Sequence, residues 1–179
     1  MNMNFKYGLA KQYSEPPEPE SNDAKEVYAF FGLAAYQAQV LEQGLIALVL
    51  FIKRIQNPNM EVRNIDKIEL NLDKRTFGRI IKSANQYREF PCELDSELRI
   101  ALLKRNYLMH HYFKIHDKDF MCDKGRKKMI KELRKIIKVF THIDRRLEEY
   151  ILSIGKKYSI KDSWFEEGLA TYYGQLEVD

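Results

Sequence analysis

The stretch VYAFFGLAAYQAQVLEQGLIALVLFI, residues 27–52, decides the fold. By length it can cross a bilayer, which takes about 20 apolar residues in a helix. Its composition argues against that. Gln37, Gln39, Glu42 and Gln43 lie near its centre. A carboxylate at mid-bilayer costs about 2.5–3.5 kcal/mol on insertion scales, and the glutamines add to it. The stretch therefore reads as the buried helix of a bundle, with apolar side chains left over for a dimer interface, and no membrane partner is expected.

The rest of the chain agrees with a single globular unit. Its 179 residues suffice for one domain with a proper core, and 45% of them are apolar. A net charge of +4 and a pI near 8.9 suit a polyanionic partner without requiring one. Cys92 and Cys122 fit neither a metal-site spacing nor a disulfide framework, which points to a reducing, cytoplasmic setting. The first residues, MNMNFKYGLAKQY, lack the apolar core of a signal peptide.

Residues 1–22 read as a flexible acidic, proline-rich lead-in, because SEPPEPESN (14–22) offers nothing to bury. Residues 23–179 read as one helical domain. Asp23, with Glu26 three residues on, signals a helix start, and that helix runs to about Ile55. MEVRNIDKIELNL (60–72) reads as irregular. A second helix is expected from Asp73 to about Gln86 and a third from about Glu93 to Lys114. HDKDFMCDKG (116–125) reads as a loop. A basic helix follows from about Arg126 to Ile154, with Gly155 as its C-cap. A short amphipathic helix around Trp164–Tyr173 closes the chain, docked by Trp164, Phe165, Tyr172 and Tyr173. The sum is an all-α, up-and-down bundle of four to five helices.

Within the third helix, LLKRNYLMHHYFK (102–114) holds polar groups among leucines. At about 100° per residue, Leu98, Leu102, Met109 and Phe113 flank Arg105 on one side, and Ala101, Leu108 and Tyr112 on the other. Asn106 and His110, four apart, share an edge of that apolar face. Lys104, Tyr107 and His111 look outward. On the first helix Glu42 lies inside an apolar stripe in the same way. Unpaired buried charge is costly, so Glu42 and Arg105 are expected near each other. Two readings stand: a pair that fixes helix register, or a cleft lined by Arg105, Asn106 and His110 with Glu42 beside it.

RNYLMH (105–110) resembles the Arg-x4-6-His motif of HEPN domains, in the form with a polar residue after the arginine. RNYLMHHY also resembles the Arg-x4-His-x-Tyr version of toxins paired with nucleotidyltransferases. The resemblance implies an all-α, usually dimeric bundle. It further implies a metal-independent ribonuclease without cofactor, acting in a toxin–antitoxin pair or an antiphage assembly. The implied catalytic residues are Arg105, Asn106 and His110, supported by Glu42 and Tyr112. Tyr112 reads either as a core aromatic or, where the partner is a nucleotidyltransferase, as the place where that antitoxin adds an adenylyl group. The other implied reading is a non-catalytic module of the same fold that binds such a nucleotidyltransferase or another defence protein.

The basic run KGRKKMIKELRKIIK (124–138) carries eight Lys or Arg and one Glu. It reads both as a solvated helix face and as a surface that tracks RNA phosphates. Lys104, Lys124, Arg126, Lys127 and Lys128 are the candidate RNA contacts. His116, Asp117, Asp119 and Cys122 lack a metal-site spacing, so no metal is expected there.

Overall fold

A computed structural model of the chain describes residues 15–59 and 62–158. These residues form an all-α bundle: α1 (Ala24–Gln56), α2 (Val62–Asp73), α3 (Phe77–Ala84), α4 (Cys92–His110), α5 (Tyr112–Ile115), α6 (Asp117–Phe120) and α7 (Asp123–Lys157). No strand occurs among the described residues.

The start of α1 follows from its cap. The Asp23 carboxylate accepts the Glu26 N–H at 2.9 Å, which satisfies one of the free amides of the first turn. Glu26 does not reach back to Asp23; it accepts the Glu20 N–H at 3.0 Å instead. The apolar residues of α1 go mainly into the chain's own core. Val27, Phe30, Ala34, Leu41, Leu45 and Leu48 are buried with Met129, Leu133, Ile137 and Phe140 of α7. By length and composition α1 could cross a membrane, but half of its most apolar window is buried within the fold.

Gly44 lets α1 and α7 come close: a Cβ there would stand 3.2 Å from both Asp144 Oδ1 and Leu147 Cδ2. With Asn22 beside Arg126 and Gly44 beside Asp144, these two helices run parallel. Tyr107 meets Glu132 and Glu97 meets Arg146, so α4 runs antiparallel to α7.

Several boundaries differ from the sequence reading. The stretch 60–72, read as irregular, contains most of the helix α2, and the second helix expected from Asp73 is the shorter α3. The third helix does not continue to Lys114. It ends at His110, and the chain bends at His111 (φ −131°, ψ −21°) before α5. The aromatic residues after the bend pack on α1. Phe31 of α1 stacks on Phe113 at 4.9 Å and on Tyr112 at 5.9 Å, and Tyr28 meets Phe113 and Phe120. The expected loop 116–125 contains α6 and the first turn of α7. Gly155 is buried inside α7, which runs on to Lys157, so it is no cap. Within the lead-in, residues 15–22 pack on α7, with Pro16 buried. The expected helix at Trp164–Tyr173 lies outside the described residues.

Candidate active site

Arg105, Asn106 and His110 all lie on α4, in its last two turns. Arg105 is half-buried, and its Nη1 donates to Asn106 Oδ1 at 3.4 Å. That long bond uses the amide oxygen and leaves the Asn106 NH2 free to point toward a ligand. His110 is exposed at the end of the helix. His111 is exposed too, its ring 6.2 Å from that of His110 and turned by 70°. The adjacent histidines thus occupy different backbone environments, one in the last helical turn and one at the bend.

Glu42 approaches this face from α1. Burial raises its carboxyl above the ordinary value, Arg105 pulls it back down, and Asp73 at the end of α2 pushes it up. Arg105 is therefore the cation nearest in effect to Glu42, although the two form no direct ion pair. Glu42 and Arg105 feel each other without closing a salt bridge, and Arg105 turns one guanidinium nitrogen to Asn106.

Of the two readings of Tyr112, the structure bears out the core aromatic. It is only 1% exposed, and its hydroxyl donates to Met129 O at 2.9 Å inside the core. Burial pushes its ionisation well above the usual phenol range. A modifying enzyme could not reach that hydroxyl without unpacking α5 from α7, so Tyr112 is a core aromatic. The basic candidates also divide. Lys124 and Lys127 are exposed on α7, and Lys104 is partly buried on α4. Arg126 is spent on the fold: it donates to Asn22 O at 2.7 Å and to Phe120 O at 3.0 Å, and it pairs with Asp123. Lys128 pairs with Asp119 at 2.8 Å.

The sequence reading missed the polar network directly behind the motif. His116, 4% exposed, has Nδ1 at 2.8 Å from Asp119 and Nε2 at 2.9 Å from Glu132. Both ring nitrogens face carboxylate oxygens. Tyr107, next to Asn106, donates to Glu132 at 2.9 Å and stands 3.1 Å from His116 Nε2. Burial and Glu132 push the Tyr107 phenol up to about 12. Lys128, then His116, hold the Asp119 carboxyl below its ordinary range. This network ties α4 to α6 and α7 at the level of the bend. It fixes the helix end from which His110 projects. Its signal in the sequence was Asp119 three residues after His116; its third and fourth members come from helices remote in sequence.

One surface remains beside the motif. Leu103 is 70% exposed and Ile100 48% exposed on α4, and Met109 and Tyr36 are exposed as well. No protein-family model, no curated protein and no solved structure matches the chain.

Proposed function

We propose that this protein is a HEPN-type endoribonuclease that cuts RNA without metal as a homodimer, acting as a toxin or effector in a toxin–antitoxin or antiphage system. The observation that carries the proposal is Arg105, Asn106 and the exposed His110 on the last two turns of one helix, with the Arg105 fork unclosed by Glu42.

The chemistry follows from the residue types. The 2′-oxygen attacks the adjacent phosphorus while one His110 takes the 2′-proton. Arg105 neutralises the charge that builds on the non-bridging oxygens of the five-coordinate phosphate. The Asn106 amide donates to one of those oxygens. The bond from phosphorus to the 5′-oxygen then breaks, and that oxygen needs a proton. A second His110, from another copy of the chain, supplies it. The products are a 2′,3′-cyclic phosphate and a 5′-hydroxyl.

The test compares the two adjacent histidines in EDTA on a mixed set of single-stranded and structured RNAs. His110→Ala should lower cleavage by about 10²–10⁴, the usual worth of a proton-transfer group, with the fold unchanged because the side chain is exposed. His111→Ala should stay within a few-fold of the parent. Equal effects from both, or no cutting by the parent chain under any trigger, reject the reading. The exposed Leu103 and Ile100 would then favour a non-catalytic module that docks a defence partner, such as a nucleotidyltransferase, on α4.

A further inference from the structure

The basic face of α7 is not bare. Lys127, Lys131, Arg134 and Lys138 fall within about 60° of one another around the helix, with Lys135 at the edge. An acidic segment from the other end of the chain lies along this face. Glu15 pairs with Lys138 at 2.5 Å, Glu18 pairs with Arg134, and Asn22 O accepts from Arg126 at 2.7 Å. Pro16 is buried between the first two pairs.

The dimensions fit. Arg126 and Lys138 are 12 residues apart on α7, about 18 Å of helix. Glu15 to Asn22 is seven residue steps, about 22 Å in the extended form that proline favours. That form repeats every third residue, so EPPE presents Glu15 and Glu18 on the same side. The segment is a strip of carboxylates on a preset backbone, spaced to meet a row of cations.

We infer that the basic face of α7 is an RNA-binding surface and that residues 15–22 are an acidic strap occupying it in place of RNA phosphates. The inference rests on the ribonuclease reading for the choice of RNA, but concerns binding alone. Exposed ion pairs are individually weak and salt-screened, so the strap can be displaced by a denser anion. It leaves Lys127, Lys131 and Lys135 exposed, which gives an incoming strand a foothold before the strap lifts. Pro16 keeps the strap close for rebinding.

The test is fluorescence anisotropy of a labelled 20-nucleotide oligouridine with the full-length chain in EDTA, carried in a His110→Ala background so that cleavage cannot consume the probe. Glu15→Gln with Glu18→Gln frees two cations and keeps Pro16. It should tighten binding and steepen the salt slope by about 1.4, at about 0.7 per phosphate contact on a single strand. The gain at 50 mM salt should then shrink about sevenfold by 200 mM. Glu93→Gln with Glu149→Gln makes the same charge change at two exposed positions outside the strap. If both double variants tighten binding alike, or neither does, or the oligonucleotide binds none of the proteins, the strap proposal is overturned. Loss of cleavage in the histidine test leaves this result standing, because no bond is broken in the measurement.

Discussion

Asp144 carries a cost that pH can remove. It faces Gly44 at the α1–α7 seam, and burial, with Glu148 nearby, raises its carboxyl to about 6 from an ordinary 3.8. The folded state therefore holds this proton more tightly than the unfolded chain. Its contribution is unfavourable above about pH 6 and is relieved as pH falls toward 4. A shift of this size corresponds to at most about 2 kcal/mol once its partial exposure is allowed for. Asp144→Asn, nearly the same shape, should raise stability by up to that amount at pH 8 and by almost nothing at pH 4. Urea unfolding of both proteins at the two pH values checks it; a variant less stable than the parent at pH 8 would show that the carboxylate has a partner the α1–α7 packing does not reveal. Gln37 makes the same point without charge. It is 1% exposed, and neither amide atom has a partner among the described residues.

At the scale of elements, α6 and α7 meet at one close approach. A Cβ on Gly125 would collide with the backbone carbonyl of Asp119. Only glycine lets the first turn of α7 lie against α6 there, and Asp119 in turn holds His116 and Lys128. Gly125→Ala must push α6 away and stretch the network behind the motif. The expected loss is about 2–3 kcal/mol, large for one methyl group. Urea unfolding with an unchanged m-value measures it. A Gly125→Ala protein as stable as the parent would mean that α6 moves freely and does not brace the end of α4.

At the scale of the whole molecule, one copy of the site has one His110 and one exposed apolar strip. The reaction needs a proton acceptor and a proton donor, and the strip at Ile100 and Leu103 lies on the same helix as the motif. A two-fold contact between α4 helices would cover the strip and bring the two His110 side chains to one cleft. The protein should sediment at twice 21.3 kDa at micromolar concentration. Leu103→Glu should convert it to a monomer with a melting temperature within a few degrees of the parent, since that side chain packs little within the chain. A parent protein that sediments as a monomer removes the shared-site mechanism, whatever the variant does.

The sequence by itself determined the long elements. A 26-residue apolar stretch interrupted by glutamines and Glu42, a capping aspartate and the long basic run are local patterns, and each became part of α1 or α7. Arg105, Asn106 and His110 were readable for the same reason: helical spacing alone puts them in the last turns of one helix. Tertiary structure decided whatever depends on partners distant in the chain. Helical phase put Tyr112 beside Arg105, but the chain bends at His111, residues 112–120 pack on Phe31 and Tyr28 of α1, and that tyrosine is buried. His116 looked like a loop residue until Glu132 and Tyr107 came to it from other helices. Arg126 looked like an RNA contact until Asn22, 104 residues away in sequence, took its guanidinium. Periodicity records which face of an element is apolar; it does not record which element arrives there, because that choice is made by packing across the whole bundle.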